Sequence, residues 1–127
     1  MQLPKVRIVS EMPKGGNTMQ VAIHNYRADL TEALRSYVER RLKFALSRFG
    51  GRVGRITVRL CADGPAENNC RISAEILPFG RIAVEESDAD LFAAVDRATA
   101  LIGRRFGREL ARAHEARLGR ETIRAAA

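Results

Sequence analysis

The chain of 127 residues is 46% apolar, which supplies one compact core, whereas two domains would each be too small to bury enough surface. Its 22 Lys plus Arg against 15 Asp plus Glu leave a net charge of +7, a field that draws polyanions such as nucleic acid or an anionic membrane surface. The chain has no run of about 18 apolar residues and no apolar secretory segment, so neither a helical membrane span nor export is supported and a cytoplasmic protein is expected.

Two cysteines, Cys61 and Cys70, are too few for a disulfide scaffold and lack the spacing of a four-ligand zinc site. Only Lys5, Lys14 and Lys43 are lysines, so the cationic surface is almost all guanidinium, which can grip phosphate through two parallel hydrogen bonds. A bias toward arginine codons gives the same composition.

In chain order, residues 1–18 mix Pro4, Pro13, Gly15 and Gly16 with basic residues and read as a flexible basic tail. Met19 to His24 alternates as a half-buried strand, and Met19 can itself serve as a start residue. From Asp29 the period changes to about 3.6, with Leu30, Leu34, Tyr37, Val38, Leu42, Ala45 and Phe49 on one stripe. Asp29 and Glu32 read as a capping box and Gly50-Gly51 as the stop, which predicts a helix over 30–49 with Arg35, Arg40, Lys43, Ser47 and Arg48 opposite its apolar face.

Arg55–Ala62 and Cys70–Leu77 alternate as two strands around a loop containing Asp63, Gly64, Pro65, Asn68 and Asn69. Pro78, Phe79 and Gly80 turn the chain into a short strand over Arg81–Glu85. If the hairpin is unbulged, Leu60 and Ile72 share its dry face, which puts Cys70 inside and Cys61 outside and disfavours a disulfide between them. A bulge near the loop reverses that assignment.

Ser87 is the expected N-cap of a second helix, with Leu91, Ala94, Val95, Ala98, Ile102, Phe106 and Leu110 on its apolar stripe and residues 113–127 fading into a frayed helical tail. The order β-α-β-β-β-α predicts an α+β two-layer sandwich over 19–112, a four-stranded sheet with both helices on one face. Residues 97–112 hold five arginines against Glu109, while Asp88, Asp90 and Asp96 gather at the other end. Such a row suits phosphate, and it also suits a solvated helix face compensating the dipole near its C-terminus.

The segment Glu86-Ser87-Asp88-Ala89-Asp90-Leu91-Phe92-Ala93-Ala94-Val95-Asp96-Arg97 resembles the opening of the second helix in hibernation-promoting factors and ribosome-associated inhibitors. Met19–Ile23, Asp29–Val38 and Gly80-Arg81-Ile82 are similar to the same family's first strand, first helix and last hairpin, so the resemblance covers roughly 19–112. It implies a non-enzymatic translation regulator of ribosome hibernation, in stress or stationary phase, that binds the 30S subunit and the 70S ribosome through 16S rRNA at the decoding region and blocks the messenger and tRNA paths.

By the same resemblance, Arg104, Arg108 and Arg112, one ridge at a spacing of four, are the expected rRNA contacts. Arg97 and Arg105 flank them, and Arg40, Arg41 and Lys43 form the comparable cluster in the first helix. Two positions depart from the family's pattern: Leu101 and Phe44 stand where it carries basic residues. The chain reads as the short form, without the further C-terminal domain of members that pair ribosomes. No cofactor, metal or small-molecule substrate is expected.

Two other classes stay open. An enzyme needs convergent acid, base or nucleophile groups, and His24, His114, Cys61 and Cys70 fall on separate elements. Gly50–Gly54 lacks the Lys-Ser or Lys-Thr ending of a phosphate loop. A regulator acting by protein contact, such as a transcription-factor modulator, or a general structured-RNA binder would share this layout. Stacking aromatics for single-stranded RNA are scarce, with no Trp, two Tyr and five Phe mostly on apolar stripes; Phe44 and Phe92, beside the stripes, are the expected exposed candidates, and shape and phosphate recognition of structured RNA fits better.

Overall fold

Alternating apolar residues build the sheet, and a computed structural model describes it over residues 6–11, 20–28, 30–62, 67–78 and 80–126. The strands are β1 (Val6–Glu11), β2 (Gln20–Tyr26), β3 (Val53–Ala62), β4 (Asn68–Ile76) and β5 (Arg81–Asp88), and the sheet follows the order β1-β2-β3-β4-β5. Helix α1 (Glu32–Leu46) connects β2 to β3, so these two pair in parallel, as a helical crossover allows, while every other pair is antiparallel. Helix α2 (Leu91–Ala126) follows β5.

The α+β sandwich is the expected one, with corrections at its ends. The sheet has five strands rather than four, because Val6–Glu11, within the expected tail, pairs with β2 from Val6 opposite Asn25 to Glu11 opposite Gln20. An edge strand needs main-chain hydrogen bonds on one side only, so it leaves a weak imprint on the sequence. Helix α2 persists past Arg112, and its backbone is helical to Ala126.

Both helix caps differ from expectation. Leu34 N donates to Thr31 Oγ1 at 3.1 Å, so Thr31 is the cap of α1, while Asp29 lies outside the described residues. Ser87 remains in β5 and accepts from Asn69 Nδ2, whereas Asp90 caps α2, accepting from Phe92 N at 3.1 Å. The expectations for Met19, for residues 1–5 and 12–18, for the turn at Asp63, Gly64 and Pro65, and for Phe79 also lie outside the described residues.

The core lies between the sheet and the two helices. Val21, Ile23, Ile56, Val58, Leu60, Ile72 and Ala74 face inward against Leu34, Val38, Leu42 and Leu46 of α1 and Ala94, Val95, Ala98, Ile102 and Phe106 of α2, all of them buried. Each fully buried Leu, Ile, Val or Phe contributes about 1.5–3 kcal/mol by leaving water, so this layer holds the helices on the sheet. Leu60 opposes Cys70 and Cys61 opposes Asn69, which leaves Cys70 buried, Cys61 half-buried and neither of them in a disulfide. The one irregularity in this ladder lies between Val53 and Ile56, at the far end from the loop, so the loop-proximal pairing stays regular and Cys70 faces inward as expected.

Helix α1 ends at Leu46, short of the expected 49, and the left-handed glycine follows in the next turn. The chain tightens into a 3₁₀ turn over Ser47–Arg52, and Gly50 takes φ 55, a left-handed value that a residue with a Cβ adopts only with strain.

Candidate nucleic-acid interface

The two helices run side by side in the same direction. Tyr37 meets Phe92 and Asp96, Arg41 meets Asp96, Ala45 meets Gly103, and Phe49 meets Phe106, so each step along α1 is matched by a step along α2. Parallel packing adds the charge gradients of the two helices. Glu32 and Asp90 lie at the starts, whereas Lys43 and Arg48, near and just past the end of α1, lie alongside the middle of α2 with Arg104, Arg105 and Arg108, all exposed.

Glycine sets how closely these basic residues approach. A Cβ built on Gly103 would lie 3.3 Å from both the Cβ and the carbonyl oxygen of Ala45, and one on Gly107 would lie 3.4 Å from the Phe49 ring. The helices therefore touch nearly backbone to side chain, and their flanking residues form the walls of a groove of about 410 Å³ lined by Arg41, Phe44, Arg48, Ala100, Gly103 and Arg104 among others.

Acids divide the candidate arginines into two groups. Arg97 is held by Asp88 at 2.8 Å and Glu86 at 3.4 Å, so both acids of the strand end face it. Arg41 Nε stands 3.3 Å from Asp96 Oδ1, an ion pair that lacks hydrogen-bond geometry, and the Tyr37 hydroxyl donates to the same carboxylate oxygen. That bond to Asp96, with burial, raises the Tyr37 pKa above its ordinary value. Arg112 pairs with Glu109 at 3.3 Å, one turn back.

Arg40, Lys43, Arg104, Arg105 and Arg108 have no acidic partner among the described residues. Their charge is not offset by a neighbouring acid among the described residues, whereas that of Arg41 and Arg97 is partly offset by Asp96, Asp88 and Glu86. Arg48 is not among the expected contacts. It joins them across the groove from Arg104, its guanidinium 4.7 Å above the Phe49 ring, again with no acidic partner among the described residues. Its spacing of seven from Arg41 is the signal that could have found it.

The open face of the sheet is also basic but balanced. Arg59 stands opposite Arg71 in the ladder beside Thr57, Ser73 and Arg81, around a shallow cavity of about 320 Å³. Glu85 lies 3.8 Å from Arg71 and Glu75 lies 4.0 Å from Arg81, so most of that charge is offset locally.

Among the described residues no group of three or more His, Cys, Asp or Glu could hold a metal ion, and no helix is long and apolar enough to cross a membrane. Burial pushes the Cys70 thiol up to about 12, which keeps it protonated and unreactive.

The profile of the family described as sigma 54 modulation protein / S30EA ribosomal protein matches residues 19–114, the whole span that forms this sandwich from β2 to the basic part of α2. The chain belongs to that family. The resemblance to hibernation-promoting factors read from its helix-opening motifs therefore stands. Among solved structures, the Protein Y N-terminal domain of Thermus thermophilus is similar at 30% identity and a TM-score of 0.59, covering 73% of this chain and 97% of that one. A ribosomal subunit interface protein from Coxiella burnetii shares the fold at 16% identity and a TM-score of 0.62, with the same coverage. No curated protein matches the chain.

Proposed function

We propose that this protein is a ribosome hibernation factor that binds the small subunit at the decoding region, lays the basic end of its parallel helix pair on 16S rRNA, and blocks the messenger and tRNA sites without chemistry. The observation that carries the reading is the groove between α1 and α2, lined by Arg48 and Arg104 with no acidic partner among the described residues, with Arg108 continuing the row. Membership of a family described as S30EA ribosomal protein supports ribosomal RNA as the polyanion for that row. Recognition of this kind uses shape and phosphate, which suits structured RNA. Each phosphate neutralised releases condensed counterions, so affinity falls by roughly 0.7 to 0.9 log units per contact for each log unit of salt.

The test is sedimentation of the purified protein with 70S ribosomes and with separated subunits at two salt concentrations, beside a variant carrying Arg104→Glu, Arg108→Glu and Arg112→Glu. Co-sedimentation with 70S and 30S particles that weakens with salt and is lost in the variant is the expected result. A wild-type chain that stays in the supernatant at low salt overturns the proposal and leaves regulation by protein contact as the reading to pursue.

A further inference from the structure

Phe44 is 79% exposed, far more than any other large apolar side chain among the described residues, and it stands on the wall of the groove between the two helices. The other large apolar residues of α1 are buried or packed against the core, whereas this ring has no aromatic partner there. Its surroundings are cationic: Arg48 and Arg104 line the same groove without acidic partners among the described residues, and Arg41 closes it on the Asp96 side. The floor is small, with Ala100 and Gly103, so a flat group can enter without meeting a bulky side chain.

We infer that Phe44 is a stacking platform for one unpaired RNA base, whose flanking phosphates are held by Arg48 and Arg104. A nucleotide is the ligand that presents a π-face and a phosphate a few ångströms apart, which is what an exposed ring beside two guanidinium groups without acidic partners among the described residues complements. An apolar partner side chain would leave both arginines unused, and a fully paired duplex would present phosphates but no free base face. The groove thus adds a preference for bulged or looped nucleotides to the shape and phosphate recognition of the helix pair. This inference rests on the reading of the helix face as an RNA surface.

The chain contains no tryptophan, so Phe44→Trp places a single reporter in the groove, and at so exposed a position neither this change nor Phe44→Ala disturbs the core. The probes are two RNA hairpins, identical except that one carries a single bulged nucleotide. In Phe44→Trp, the bulged hairpin is expected to quench the emission of the introduced indole. In Phe44→Ala, affinity for the bulged hairpin is expected to fall roughly tenfold, with binding of the paired hairpin unchanged.

Emission unaffected by either hairpin, equal losses for both, or no binding to either at low salt overturns the inference. Sedimentation with 30S subunits separates it from the function proposed above. Co-sedimentation with a silent tryptophan removes the stacking role alone, whereas quenching by the bulged hairpin without co-sedimentation removes the ribosome assignment alone.

Discussion

Gly103 of α2 rests on Ala45 of α1 so closely that an added Cβ would lie 3.3 Å from the Ala45 carbonyl oxygen. Main chain cannot retreat as a flexible side-chain tip can, so Gly103 fixes the distance between the helices and the width of the groove. Gly103→Val is expected to destabilise the fold by about 1–3 kcal/mol through overpacking, despite removing a glycine from a helix interior. Thermal unfolding measures it, and a Tm equal to wild type would show that α1 yields freely.

The arginines should separate by whether they already have acids. Arg104→Ala and Arg108→Ala are each expected to reduce the salt dependence of 30S binding by roughly 0.7 to 0.9, one phosphate contact apiece. Arg97→Ala, whose guanidinium is 2.8 Å from Asp88, should leave that slope near wild type and cost at most about 1 kcal/mol of stability, as an exposed ion pair does. Titrations at several salt concentrations test this, and equal slopes for all three variants would refute the division.

Asp96 carries two partners on α1, the Tyr37 hydroxyl and the Arg41 guanidinium. Tyr37→Phe should cost about 1 kcal/mol, and Asp96→Ala about 1–3 kcal/mol because it leaves a half-buried guanidinium unpaired. The Tyr37 pKa is raised in the folded state, so its contribution is complete below the unfolded phenol pKa and is lost as pH climbs through the higher folded value. Stability of wild type and Tyr37→Phe should therefore converge at strongly alkaline pH. A gap that stays constant there would contradict the bond.

Caps offer a sharp contrast. Asp90→Ala should cost about 1 kcal/mol because Phe92 N loses its acceptor, and Thr31→Ala should do the same at Leu34 N. Ser87→Ala, a strand residue, should change denaturant stability by less than about 0.5 kcal/mol. The reverse order would restore Ser87 as the cap.

Cys70 is fully buried with its pKa pushed up to about 12, so its thiol should resist iodoacetamide at pH 8 until the protein is unfolded. Half-buried Cys61 should be labelled first, and mass spectrometry of the native and denatured protein reads the order directly.

Periodicity is sufficient for the two apolar helix stripes, the central strands and the opposite orientations of Cys61 and Cys70, because burial within one element follows its own repeat and leaves a local pattern. It is insufficient for β1, whose pairing with β2 depends on main-chain bonds at an edge, and for the choice of Asp90 over Ser87, which depends on how far β5 pairs with β4 before the helix begins. The site divides along the same line. Arg104 and Arg108 can be read as an exposed ridge from their spacing. That Arg97 and Arg41 are partly offset by acids, that Arg48 joins the groove, and that the two helices point their basic ends the same way depend on contacts such as Tyr37 to Asp96, 59 residues apart. Charges meet across elements, and only the packing of α1 on α2 through Gly103 and Gly107 decides which of them meet.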